Sequence, residues 1–136
     1  MIVVLDCNIL VMCLTSRSPY NFIYKSLIDG RFRLAVTVDL LLEYEEIIQQ
    51  KYGISVAASL LSLLTELPNV DFIHPHYKWQ LIKTDKDDNK YCDCAIAGQA
   101  NYIVSQDKHF DILSKVPFPS INVISIDHFL KVLKSE

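Results

Sequence analysis

The residues of this chain best able to do chemistry are carboxylates placed just after short apolar runs. Asp6 and Asn8 follow Ile2-Val3-Val4-Leu5, and Asp107 follows Tyr102-Ile103-Val104-Ser105. One such Asp often does no more than cap the next loop or helix. Two of them, after two strands of buried type, can meet at one edge of a sheet. More acids lie in Asp85-Lys86-Asp87-Asp88-Asn89-Lys90. That run also reads as a solvated loop, with Asp88 as a helix cap favoured by the helix dipole. Asp93 is flanked by Tyr91, Cys92, Cys94, Ala95 and Ile96 on a segment that reads as a mostly buried helix. A carboxylate there needs a partner or a cation. Glu43 lies at the margin of an apolar helix face set by Leu40, Tyr44, Ile47, Ile48 and Lys51, whereas Glu46 lies further round toward solvent.

Asp6, Glu43, Asp88 and Asp107, with Asp93 as a further member, are thus acids at sheet ends and helix starts. Carboxylates gathered in one pocket repel unless they are protonated or bridged by a cation. Hard divalent ions such as Mg²⁺ or Mn²⁺ prefer oxygen ligands. Such an ion lowers the pKa of a water and neutralises a phosphodiester. A thiolate site is not expected. Cys92 and Cys94 are two apart, so on a helix they diverge by ~200° and cannot chelate together.

The elements that must carry these groups alternate. Ile2–Leu5 reads as a central strand, β-branched and covered on both faces. Ser18-Pro19 reads as the start of a helix running to Ile28 and stopped by Gly30. Leu34-Ala35-Val36-Thr37 reads as a second strand, and Thr37 or Asp39 as the cap of a helix through Lys51 that Gly53 ends. Ser55 opens another helix through Leu64. Val70 to Ile73 reads as a strand, Trp79 to Ile82 as an extended stretch, and Asn89 to Ala100 as a helix. A strand over Tyr102 to Ser105, a short helix from Asp107 to Leu113, a strand at Asn122 to Ile124 and a terminal helix capped by Asp127 complete the order. Strands alternating with helices imply a parallel sheet layered by helices on both faces. Ligands in such sheets lie beyond the carboxyl ends of the strands, where these acids fall.

Composition narrows the function classes. The 136 residues fit one compact domain. A hydrophobic share of 51% with 21% charged excludes a disordered chain. A net charge of −3 excludes a polybasic nucleic-acid coater, so contact with nucleic acid requires a local basic rim or bound cations. No stretch reaches the ~18 apolar residues of a membrane span. The start has no basic segment and its apolar run stops at Asp6, so no export signal is expected. A cytoplasmic location, with Cys7, Cys13, Cys92 and Cys94 as reduced thiols, is the expectation.

Several of these stretches together resemble the PIN-domain family, metal-dependent ribonucleases that include toxins of toxin–antitoxin pairs. The matching pieces are Ile2 to Asn8, Leu41-Leu42-Glu43-Tyr44-Glu45-Glu46-Ile47, Asp85 to Tyr91, Tyr102 to Phe110, and Ile124-Ser125-Ile126-Asp127-His128-Phe129-Leu130. The resemblance spans nearly the whole chain in order. It implies a three-layer α/β/α sandwich with a five-stranded parallel sheet. It also implies an acidic pocket of Asp6, Glu43, Asp88 and Asp107 for Mg²⁺ or Mn²⁺, with Asp6, Asp88, Asp107 and Asp93 as metal ligands, Glu43 as ligand or orienter of a water, and Asn8 orienting Asp6. RNA as substrate, an antitoxin as partner and a homodimer are further implications. Cys7 and Ser105 stand where the family commonly has Thr; Ser105 keeps the hydroxyl and Cys7 does not.

Two other readings compete. One is a non-catalytic protein-binding partner with a vestigial site. The other is an aspartate-based phosphatase or receiver-like domain, which would want a second Asp where Asn8 stands. If RNA is the substrate, Arg17, Lys86, Lys90 and Lys108 adjoin the site elements and are the candidates for phosphate contacts. Solubilising surface lysines explain them equally well. His109 reads as a helix-surface histidine, with a position facing the pocket as the alternative, and Tyr20, Phe22 and Tyr24 read as core or interface.

Overall fold

In a computed structural model describing residues 1–136, five strands form one sheet in the order β3-β2-β1-β4-β5, every neighbouring pair parallel. The strands are β1 (Ile2–Leu5), β2 (Arg33–Val36), β3 (Val70–Phe72), β4 (Tyr102–Val104) and β5 (Val123–Ile124). Val3, Val4 and Leu5 are at most 1% exposed, so both faces of the central strand are covered. The helices are α1 (Cys7–Cys13), α2 (Asn21–Ile28), α3 (Val38–Tyr52), α4 (Ile54–Glu66), α5 (Asn89–Ala97) and α6 (Ile126–Lys134). Two 3-10 segments, Lys86–Asp88 and Lys108–Lys115, precede α5 and follow β4. This is the expected three-layer α/β/α arrangement. No helix is long and apolar enough to cross a membrane.

The order of strands sets the position of any site. From β1 the chain moves to β2 and β3 on one side, then returns to place β4 on the other. The direction reverses between β1 and β4, so their carboxyl ends border a crevice. Leu5 pairs with Val104 at the last rung, which brings the residues after each strand together. The Asp6 N–H donates to the Val104 carbonyl at 3.1 Å and closes that rung.

Local chemistry fixes the helix that faces this crevice. The Thr37 hydroxyl accepts the Leu40 N–H at 3.1 Å and caps α3, which decides between Thr37 and Asp39. Gly53, at φ 96°, supplies the left-handed turn that ends α3 and starts α4 directly. Buried Tyr44 donates its hydroxyl to the Leu5 carbonyl and so pins α3 to the end of β1.

Several expectations for the elements shift, and α5, expected to reach Ala100, ends at Ala97 with Gly98 as its cap. The helix expected from Ser18-Pro19 begins at Asn21, because the Ser18 hydroxyl accepts the Tyr20 N–H and closes a turn first. The terminal helix is capped by Ser125, whose hydroxyl accepts the His128 N–H, rather than by Asp127. Asp127 lies in the first turn and accepts the Tyr20 hydroxyl. Trp79 to Ile82 joins no strand. Asp88 occupies the cap position of α5 without a capping bond, while Asp85 accepts the Asp87 N–H and caps the preceding 3-10 turn. Helix α1, unassigned in the sequence, buries Cys7, Ile9, Leu10 and Cys13.

Candidate metal centre

Asp6 leaves β1 with its side chain 5% exposed. The Ser105 hydroxyl donates to Asp6 Oδ2 at 2.8 Å and accepts the Asp107 N–H at 3.0 Å. One serine therefore links the acids after two adjacent strands. Glu43, one residue before pinned Tyr44, is brought beside Asp6; their carboxylate oxygens and the Cys7 Sγ lie within 4.8 Å of one another. Glu43 is itself held, by the Tyr91 hydroxyl on Oε1 and by an ion pair from Lys90 to Oε2. Tyr91 also accepts the Cys7 N–H at 3.3 Å, so α5 is tied to α3 and to the start of α1.

Asp88 and Asp107 converge from the other side. His109 Nδ1 lies 3.2 Å from Asp88, 3.1 Å from Asp107 and 3.4 Å from Asp85. The His109 N–H donates to Asp107 Oδ1 at 2.9 Å, the capping role an Asp after a strand often plays. The histidine expected on a bare helix surface is instead turned into the acids, because a 3-10 turn follows the Asp107 cap.

The electrostatics follow from burial and crowding. Burial raises the Asp6 carboxyl above its ordinary range, against hydrogen bonds from Ser105 and Cys7 that lower it. Burial and the Asp85, Asp107 and Asp6 charges push Asp88 up to about 6, partly offset by His109. Burial opposes ionisation of Glu43 as well, but hydrogen bonds from Cys7, Lys90 and Tyr91 outweigh it and lower that carboxyl. His109 is raised, first by its bond to Asp88. Burial drives the Cys7 thiol far up, so it stays protonated.

These facts test whether a hard divalent cation suits the site. The donors are carboxylate oxygens, two of them discouraged from ionising by their surroundings. The one soft atom, the Cys7 sulfur, is a neutral thiol. Such a set fits Mg²⁺ or Mn²⁺.

The remaining expected residues fall outside these two groups. Asp93 is buried in α5, and its Oδ1 accepts the Trp79 N–H at 3.1 Å. The partner that a buried carboxylate requires is thus a peptide group. The Asn8 side chain is exposed, and the bond orienting Asp6 comes from Ser105. Lys86 is exposed and Lys90 is committed to Glu43; both line a cleft of about 500 Å³ with Glu43 and Asp93. Arg17 and Lys108 are exposed.

A family model described as PIN domain matches residues 2–109, from the start of β1 to the histidine among the acids. The chain belongs to the PIN-domain family. Solved structures agree on this PIN fold. VapBC2 from Rickettsia felis, bound to a DNA fragment from its promoter, superposes with a TM-score of 0.63 at 15% identity, covering 92% of this chain and 98% of that one. VapBC-1 from nontypeable Haemophilus influenzae gives 0.63 at 16%, covering 93% and 99%. The T. brucei RRP44 PIN domain gives 0.54 at 16%, covering 98% and 81%. No curated protein matches the chain. The PIN match covers all the acids of the two groups, and Ser105 and Tyr91, which sequence reading did not place in the site, lie inside it as well.

Proposed function

We propose that this PIN-domain protein is a divalent-metal-dependent endoribonuclease, the toxin of a toxin–antitoxin pair, acting as a cytoplasmic homodimer. The observation that carries the reading is the Ser105 bridge, which holds Asp6 and Asp107 together at the β1/β4 crevice beside Glu43 and Asp88. The toxin assignment and the antitoxin partner draw on the likeness to the two VapBC structures.

Asp6, Asp88 and Asp107 would hold the Mg²⁺ or Mn²⁺ ion. When bound, the ion supplies positive charge to a phosphodiester and acidity to a water. Ser105 sets the direction of Asp6 by donating to Oδ2. Glu43 stays ionised, and its two oxygens offer about four lone-pair sites against donors from Tyr91, Lys90 and Cys7. It can therefore accept a hydrogen bond from a water and orient it. His109 holds Asp88 and Asp107 at a common point. Lys86, Lys108 and Arg17, all exposed, would contact phosphates around the acidic pocket. Lys90 would do so only by leaving Glu43.

The deciding experiment is cleavage of a single-stranded RNA by the purified chain with Mn²⁺ or Mg²⁺, with and without chelator. Cleavage that requires the ion and is lost in Asp6→Asn supports the reading. Absence of cleavage with both ions, or cleavage indifferent to chelator, overturns it.

A further inference from the structure

Three aromatic side chains meet at the surface beside the acidic site. Tyr77 and Trp79 pair edge to face with ring centroids 4.7 Å apart, and Trp79 meets Phe118 in the same way at 6.0 Å. Tyr77 is 65% exposed and Phe118 79%. Rings this open lose most of the benefit of burial, and a contiguous apolar patch is a common mark of an interaction surface.

The backbone beneath them is anchored. The segment 74–85 has no regular structure, yet it is fastened to α5 at two points. Asp93 takes the Trp79 N–H, and the Asn89 side chain bonds both the N–H and the carbonyl of Ile82, each at 2.8 Å. Asn89 and Asp93 are one helical turn apart on one face of the helix whose cap position is Asp88. Gln80, with φ 54°, turns the chain immediately after Trp79. Such a conformation is unfavourable for a non-glycine residue and persists only where surrounding contacts hold it. Lys78, between the two aromatic residues, lines the same cleft as Glu43.

The local charge contrasts with that of the whole chain. The protein carries a net −3, but no acidic residue occurs from Phe72 to Thr84, where Lys78, Lys83, His74 and His76 lie. None occurs from Ile112 to Ile126 around Phe118, where Lys115 lies. Open aromatic rings set among cations, next to a crevice of acids, match an unpaired nucleic-acid strand. Its bases offer π faces and its phosphates offer charge.

We propose that Tyr77, Trp79 and Phe118 form a stacking platform for the unpaired bases of single-stranded RNA, with Lys78 and Lys83 on the backbone. The proposal rests on the ribonuclease reading for its choice of RNA, and it adds the requirement that the substrate be unpaired at this point.

Trp79 is the only tryptophan in the chain, so its fluorescence reports on the platform directly. The experiment uses the full chain with chelator, so that binding is read apart from cleavage. A short single-stranded RNA should quench Trp79 emission saturably, with affinity falling as salt rises. The same RNA as a duplex, and an abasic strand of equal charge, should leave the emission unchanged. Tyr77→Ala and Phe118→Ala should each weaken single-strand binding roughly 10-fold, with circular dichroism and melting unaltered, since both side chains are exposed. Equal binding of abasic and normal strands with constant emission overturns the proposal. So does emission that responds to protein dilution but not to RNA, which would mark a self-association surface. Quenching by a chain that cleaves no RNA would leave the platform standing and remove the nuclease reading. Cleavage without quenching would remove only the platform.

Discussion

Ser105 donates its hydroxyl to the buried carboxylate of Asp6 at 2.8 Å. Because the same oxygen accepts the Asp107 N–H, Ser105 sets the spacing of two acids that come from different strands. Its removal leaves an Asp6 oxygen without its donor and raises that carboxyl further. Ser105→Ala should cost about 1–3 kcal/mol of stability and lower RNA cleavage roughly 10-fold by loosening the ligand set. Ser105→Thr keeps the hydroxyl and should restore both. Denaturant unfolding and single-turnover cleavage check this, and equal loss in both variants would point to packing as the cause.

Asp6→Asn should abolish metal-dependent cleavage while leaving the metal-free protein as stable as wild type or more so. The asparagine oxygen can still accept from Ser105, and one buried charge facing Glu43 is gone. Thermal unfolding in chelator measures the second part. A large drop in Tm would mean that the Asp6 charge, rather than the shape of its side chain, holds the strand end.

Millimolar Mn²⁺ or Mg²⁺ should raise Tm, because an ion that binds the folded acids and not the open chain stabilises the fold by mass action. In an Asp6→Asn/Asp107→Asn double variant the shift should vanish. An undiminished shift there would move the ion elsewhere, with the Asp85, Asp88 and His109 group as the next place to look.

The sheet and the helix that carries Glu43 were legible in the sequence because their signals are local. Ile2–Leu5 is a short β-branched run, and Thr37 and Gly53 mark both ends of α3. Helix α1 was not legible, since Ile9 to Cys13 is apolar all round and shows no 3.6-residue period. Its helical form follows from its packing against α2 and α3. The acids at the strand ends could likewise be read one by one. Their tethers could not: Ser105 is 99 residues from Asp6, and Tyr91 is 48 from Glu43, so only the folded register brings them together. Which way His109 faces was not legible for a different reason. A 3-10 turn has three residues per turn, so a wheel drawn for an α-helix aims its side chain wrongly.

The metal-free protein should lose stability as pH rises through about 6 and beyond. Asp88 has its carboxyl raised from 3.8 to about 6. A raised folded pKa contributes stability that is full below the unfolded value and is lost as pH rises through the folded one. His109 is raised from 6.5 by Asp88 and the neighbouring acids, so its contribution is lost in the same direction and later. Glu43 has the opposite sign, but its lowered pKa places its effect below this window. Thermal melts in chelator across the range should show Tm falling, and Asp88→Asn should flatten the fall. A Tm that climbs over this range would contradict the crowding of acids around Asp88.

Glu43 and Glu46 provide the sharpest comparison, because they differ by less than one turn of α3. Tyr44 locks the helix register through the Leu5 carbonyl, which puts Glu43 beside Asp6 and leaves Glu46 exposed. Glu43→Gln keeps an acceptor for Tyr91 but loses the charge that pairs with Lys90. It should cut the cleavage rate at least about 100-fold, in the range for losing a group that orients or deprotonates a water. Glu46→Gln should stay within a few-fold of wild type and change stability by less than about 0.5 kcal/mol. Lys90→Met separates the two tasks of Glu43: it frees an oxygen but leaves the carboxylate without its cation. If Glu43 acts as an orienting acceptor, Lys90→Met should shift the metal concentration needed for half-maximal cleavage, whereas Glu43→Gln should lower the maximal rate itself. Single-turnover cleavage of one RNA across a Mn²⁺ titration distinguishes them. A large loss for Glu46→Gln with near-normal Glu43→Gln would show that the acid acting in the site lies one turn further along α3.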